Sequence, residues 1–223
     1  MSSADYIDLA ETSERLGVSV QHVRRLAMSG EITKVARGLF DAHSVDAYRL
    51  SHPLVRTRAW AEHTAWGAIA ILSGSDAPWL GTTQAARVRS TLRELTDPAH
   101  LAVRLRERAR VHRLDAHHAA VSRLKNVLVV PDLSALGLAA ASDGDVDGYL
   151  HRSDLAATIR ALGLLPDPRG NATIRATGFD LAAVADIAER SPVLAALDAT
   201  ASVDPRLRGL AERALTDLLG AFQ

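Results

Sequence analysis

Cysteine is absent from the 223 residues, which excludes disulfides and thiolate metal sites. No apolar run approaches the length of a membrane span, and residues 1–25 lack the apolar core of a secretory signal. A cytoplasmic protein with no membrane partner is expected. Catalytic signatures are missing as well: there is no G-x-S-x-G elbow, no phosphate-binding P-loop and no dinucleotide fingerprint. Lysine is scarce, with Lys34 and Lys125 the only two among 26 basic residues. Together with abundant alanine this matches a GC-rich genome, so arginine preference carries no phosphate-binding signal of its own. Net charge is zero and by itself argues neither for nor against nucleic acid.

Charge is nevertheless segregated along the chain. Residues 1–52 carry six Lys/Arg and seven Asp/Glu, residues 53–125 carry twelve and six, and residues 126–223 carry eight and thirteen. A basic middle followed by an acidic end suggests a polyanion-facing surface in the middle and a different task beyond it.

The region from Asp8 to Leu50 is the most informative. Asp8 with Glu11 three residues later forms a capping box, so a helix is expected through Leu16, ended by Gly17. Ser19 caps a second helix from Val20 to about Met28, closed by Ser29-Gly30. Val23, Leu26 and Ala27 form its inner stripe and leave Gln21, Arg24 and Arg25 facing outward. Two short helices joined by a tight Gly-containing turn make a helix-turn-helix unit. Gln reads adenine, and Arg reads guanine or holds phosphate. Ile32 to Val35 and Leu39-Phe40 read as short strands around Ala36-Arg37-Gly38, and Ser44 as the cap of a third helix, Val45 to Leu50.

This segment, "AETSERLGVSVQHVRRLAMSGEITKVARGLFDAHSVDAY", resembles winged helix-turn-helix domains of the MerR and excisionase type. The resemblance implies a DNA-binding surface made of Ser19, Val20, Gln21, Arg24 and Arg25, with Lys34 and Arg37 letting the wing touch phosphate. The net charge of −1 over residues 1–52 is low for an isolated DNA binder. Dimerisation or the basic middle segment is expected to add affinity, and Arg104, Arg106, Arg108 and Arg110 are its candidate phosphate contacts.

Beyond Ser51-His52-Pro53, helices are expected over "RAWAEHTAWGAIAILSG", over "TTQAARVRSTLREL" and from Asp97-Pro98 to about Arg108. "ARVHRLDAH" alternates in a way that fits strand or helix, with strand favoured, and "NVLVVP" reads as a buried strand. Leu133 to Ala141 and Asp154 to Leu162 read as helices, Val146 to His151 and Ala172 to Thr177 as strands, and "DLAAVADIAER" and "DPRLRGLAERALTDLLGAF" as helices. The expected fold class is multi-domain α+β. It comprises a winged helix-turn-helix at 1–52, a helical basic segment at 53–108 and a small C-terminal α/β domain at 109–223.

Three constellations compete with the DNA-binding reading. In "DGDVDGYLHRSD", Asp143, Asp145, Asp147 and Asp154 fall on calcium-loop positions, with Asp in place of the usual final Glu and a poor entering helix. His112, Asp115, His117 and His118 lack a fourth metal ligand, and no metal or other cofactor is expected. Gly74-Ser75 invites comparison with nucleotidyltransferases, but no Asp-x-Asp follows, so no enzymatic activity is expected.

The segments "AWGAIAILSGSDAPWL", "RLRERARVHRLDAH", "DVDGYLHRSDL", "DPRGNATIR" and "AALDATASVDPRLRGLAERAL" resemble, in that order, type IV abortive-infection (AbiEi-like) antitoxins. Their partner gene encodes a nucleotidyltransferase-like toxin. The resemblance implies an antitoxin and autorepressor that binds its own operator in double-stranded DNA, with the toxin a partner either directly or only genetically. The alternative is a ligand- or calcium-binding sensor module with a reporting winged domain.

Overall fold

The computed structural model describes residues 6–51, 57–137, 144–202 and 204–223. The chain is a mixed α+β protein that divides into two compact units, Met1–Arg56 and Thr57–Gln223.

The first unit contains β1 (Tyr6–Asp8), α1 (Leu9–Leu16), α2 (Val20–Met28), β2 (Lys34–Ala36), β3 (Leu39–Asp41) and α3 (Ala42–Ser51). Asp8 caps α1 by accepting from the Glu11 N–H at 2.8 Å. The reciprocal half of the expected capping box does not form, because the Glu11 carboxylate pairs with Arg15 at 2.7 Å instead. Gly17, at φ 61°, takes the left-handed conformation that ends the helix, and its N–H reaches the Glu14 carbonyl. Ser19 caps α2 through the His22 N–H. The strands form an antiparallel sheet in the order β1-β3-β2, with Ile7 opposite Phe40. Ile7, Leu16, Val23, Leu26, Ile32, Phe40 and Val45 fill a small core beneath it.

Helix α3 starts earlier than the sequence suggests. Asp41 caps it, accepting from the Ser44 N–H at 2.7 Å. The Ser44 hydroxyl is used elsewhere: it accepts from the Thr33 N–H at 2.9 Å and so ties the entry of β2 to α3.

The second unit opens with α4 (Glu62–Leu72), α5 (Thr82–Glu94), α6 (Pro98–Leu105) and a 3-10 turn at Arg106–Arg108. There follow β4 (Arg110–Asp115), α7 (His118–Lys125), a 3-10 turn at Leu133–Leu136, β5 (Val146–His151), α8 (Leu155–Leu162), β6 (Leu165–Pro166) and β7 (Ala172–Thr177). Helices α9 (Leu181–Arg190), α10 (Val193–Ala199) and α11 (Pro205–Phe222) complete it. Helix α4 has almost no polar side, and Thr64 to Leu72 are all buried, so it runs through the centre rather than along the surface. Gly67 permits this, because a Cβ there would lie 2.3 Å from the Leu80 side chain.

The sheet order is β5-β7-β4-β6. Strands β5 and β7 are parallel, whereas β4 runs antiparallel to both β7 and β6. One sheet face packs Leu114, Val146, Leu150 and Ile174 on Val121 and Leu124 of α7. The other turns Tyr149 into the helical core built on α4, α5, α6, α10 and α11. That core runs from Ala65 to Leu219, so residues 57–108 and 109–223, expected in separate domains, lie within one compact unit.

The run Asn126 to Pro131 is not the expected strand. The Val127 and Leu128 N–H groups are both taken by the Leu124 carbonyl at the end of α7, and only Val129 bridges, pairing with Tyr149. Val127 and Val130 are exposed. Of the expected helix Leu133 to Ala141, the described part is the 3-10 turn, and residues 138–143 lie outside the described residues. No helix among the described residues is long and apolar enough to cross a membrane.

Candidate functional site

In the first unit the sequence-predicted residues of α2 come together on one outer surface. Ser19, Val20, Gln21, Arg24 and Arg25 are exposed, while Val23 and Leu26 point into the core. Their spacing dictates this, since residues three and four apart share a helix face. Ser19 is doubly placed: its hydroxyl caps α2, and the first turn leaves unpaired N–H groups at a helix N-terminus that favours anions. Lys34 in β2 and Arg37 in the turn to β3 are also exposed.

Four acidic residues of this unit are occupied elsewhere. Residues 1–56 hold seven Lys/Arg and seven Asp/Glu. Glu11 and Asp46 both contact Arg15, Asp8 caps α1, and Asp41 is buried as the cap of α3. Among the described residues neither Glu14 nor Glu31 pairs with Arg24 or Arg25. Arg25 instead donates to His22 Nδ1 at 2.9 Å along the same helix. Among the described residues, this formally neutral unit offers an outward α2 surface whose arginines form no ion pair with its own carboxylates.

The four arginines expected to grip phosphate do not form one surface. Helix α6 stops at Leu105, so the helical spacing that would align Arg104 with Arg108 and Arg106 with Arg110 ends there. Arg108 turns inward, is 7% exposed and pairs with Asp198 at 2.6 Å, which removes it from any external contact. Arg104 lies over the Trp60 ring at 5.2 Å, and Arg106 contacts Glu107. Arg110, on β4, is exposed.

The buried Arg108 belongs to a polar network that the sequence reading did not identify. Asp198 Oδ1 accepts from Arg108 at 2.6 Å and from the Tyr149 hydroxyl at 2.7 Å, and Arg175 Nε lies 3.3 Å away. Arg175 also grips Asp147 with two hydrogen bonds of 2.7 Å. The second Asp198 oxygen is buried with no partner among the described residues. Burial and the neighbouring carboxylate push the Tyr149 hydroxyl well above its usual range, keeping it a neutral donor to Asp198. Burial opposes the charge on Arg108 and Arg175, but the oxygens around them raise both above the ordinary arginine value. One signal was available in sequence. Arg175 sits in the apolar strand "ATIRAT" and Asp198 in the apolar helix "VLAALDA", and a lone charge in such a run is buried only when paired.

A second cluster joins α4 to the carboxyl ends of the two parallel strands. Trp66 Nε1 donates to the Arg108 carbonyl and to the Thr177 hydroxyl, both at 3.0 Å. Thr177 donates to Glu62 at 2.8 Å, and the Gly178 N–H reaches the same oxygen at 2.7 Å. Arg152 pairs with the other Glu62 oxygen. Partial burial works against the Glu62 charge, but the hydrogen bonds from Gly178, Thr177 and Arg152 prevail and hold its carboxyl below the usual range.

The positions considered for calcium are dispersed. Asp143 lies outside the described residues. Asp147 is in β5 with both oxygens on Arg175, and Asp154 sits at the start of α8, accepting from the Ser153 hydroxyl at 2.8 Å. Val146 to His151 forms a strand, so a cation-wrapping loop does not form over that stretch. Asp145 lies just outside that strand and is exposed. His117 caps α7 through the Ala119 N–H, and among the described residues no group of three or more His, Asp or Glu converges on a metal position. Comparison with protein-family models, curated proteins and solved structures finds no match.

Proposed function

We propose that this protein is a sequence-specific DNA-binding transcriptional regulator whose first unit is a winged helix-turn-helix. In this reading α2 enters the major groove, Gln21 and Arg24 address base edges, and Ser19 and Arg25 meet phosphate. The β2–β3 turn, carrying Lys34 and Arg37, is the wing. The observation that carries the reading is the shared exposure of Ser19, Val20, Gln21, Arg24 and Arg25 on one helix, beside two exposed cations on the hairpin. With no net charge on the unit, a single copy binds weakly, and a dimer on a two-fold operator supplies the remaining affinity. The same proposal extends to an antitoxin that represses its own operon.

Footprinting of the full-length protein on the DNA upstream of its gene tests the first part. A protected site that disappears in the Gln21→Ala/Arg24→Ala double variant is the expected result, and unchanged protection overturns the assignment. Co-expression with an adjacent nucleotidyltransferase-like gene tests the second, through relief of growth arrest.

A further inference from the structure

Arg25 reaches the outer surface of α2 already engaged: its Nη2 donates to Nδ1 of His22, three residues back, at 2.9 Å. A guanidinium can only donate, so that Nδ1 is an acceptor and the ring is neutral, with its proton on Nε2. His22 is half-buried at the flank of the exposed face, and its own N–H meets the Ser19 hydroxyl at 3.3 Å. Ser19, His22 and Arg25 therefore follow one another along a single ridge of three-residue steps that begins at the N-terminus of α2. The charged groups around this ridge leave His22 alone. Glu11 and Asp46 are held by Arg15. Among the described residues neither these nor Glu14, Glu31, Lys34 or Arg37 forms an ion pair or a hydrogen bond with His22.

A proton from solvent can enter only at Nδ1, the atom that Arg25 then vacates. Its arrival sets two cations side by side at a helix N-terminus, an arrangement that an anion stabilises. We propose that His22 and Arg25 form a proton-linked clamp for one backbone phosphate of operator DNA, in which proton uptake releases Arg25 and turns both side chains onto that phosphate. The inference rests on the DNA-binding reading of the first unit, and it adds to that surface one further contact residue and one regulatory input, acidity.

The test is fluorescence anisotropy of the full chain on a fluorescein-labelled duplex from the DNA upstream of its gene. Binding is measured at about pH 8 and about pH 5.5, on either side of the ordinary histidine value of about 6.5. Acidification is expected to tighten binding about threefold to tenfold and to steepen its salt dependence by about one phosphate contact. His22→Gln keeps an acceptor for Arg25 but takes up no proton, so it is expected to match the native chain at the higher pH and to lose both effects at the lower. Arg25→Ala is expected to weaken binding at both. All three chains are expected to share one thermal melt at each pH. Equal affinity of the native chain at the two pH values overturns the proposal, and so does a gain on acidification that His22→Gln retains. Absence of binding at both pH values overturns the regulator reading together with the clamp, whereas binding indifferent to pH overturns the clamp alone.

Discussion

Asp198 accepts a 2.6 Å hydrogen bond from Arg108 across ninety positions of sequence, with both side chains more than nine-tenths buried. Removing one member of such a pair leaves the other charge uncompensated in a low-dielectric core. Asp198→Asn is therefore expected to destabilise the second unit by about 3–5 kcal/mol, read by urea denaturation. Tyr149→Phe removes a neutral hydroxyl that donates to the same oxygen and accepts from Arg108 Nε at 3.0 Å, and is expected to cost less, about 2 kcal/mol. Equal losses in the two variants would contradict the assignment of Asp198 as the charge that holds the arginines.

The proposed DNA contact separates residues that would specify sequence from residues that would position the protein. Gln21→Ala and Arg24→Ala are each expected to remove about 1–3 kcal/mol of discrimination at one base position, measured against a panel of operator variants. Lys34→Ala and Arg37→Ala are expected to weaken all sequences alike and lower the salt dependence by about one phosphate contact each. If Arg24→Ala weakens every sequence equally, its base-reading role fails.

Acid stability depends on Glu62. Its carboxyl sits below the ordinary range in the folded protein. Its stabilisation is thus fully present above the ordinary glutamate value of about 4.3 and is lost as pH falls through the lowered folded value. The stability gap between the native chain and Glu62→Gln should be constant near neutrality and narrow with acidification below about pH 4. Denaturation curves that stay parallel down to about pH 2 would remove Glu62 from this role.

The caps of the first unit are unequal. Asp8→Ala removes an exposed cap and is expected to cost about 1 kcal/mol. Asp41 is buried and receives the Ser44 N–H, so Asp41→Ala leaves that donor unpaired and should cost more, about 2 kcal/mol. Ser44→Ala acts through Thr33 as well, removing the acceptor of the Thr33 N–H at the entry to β2 together with the bond from its hydroxyl to the Asp41 carbonyl. Hydrogen exchange at the Thr33 amide distinguishes the two variants.

The sequence was most readable where structure is decided locally. Asp8, Gly17, Ser19 and Asp97 act through their own and adjacent turns, and each bounds a helix where expected. Strand β7 was legible from its β-branched residues and the turn before it, whereas β4 fitted strand or helix alike and β5 was only weakly marked. Missed elements are short and owe their form to distant partners. Tyr6–Asp8 is a strand only because Leu39–Asp41 lies beside it, and Leu165–Pro166 only because of Leu114 and Asp115. Helix α10 begins behind Ser191-Pro192, where the Ser191 hydroxyl accepts from the Val193 N–H, a short local signal that was not read as a helix start. At the candidate interface, helical spacing sufficed to place Gln21, Arg24 and Arg25 outward. The same reasoning failed for Arg108 because its orientation depends on where α6 stops and on Asp198, neither visible in a neighbouring residue.

The Arg108–Asp198 contact also dictates how the second unit can be divided. A break between Arg108 and β4 leaves that arginine without its carboxylate in one piece and leaves Asp198 with Arg175 alone in the other. Neither half can close its core alone, since α4 contributes Trp66 and α10 and α11 contribute Leu197 and Leu215 to the same interior. Two such pieces made in one cell would need each other to fold, and their reassembly would behave as a split reporter whose signal depends on one buried ion pair.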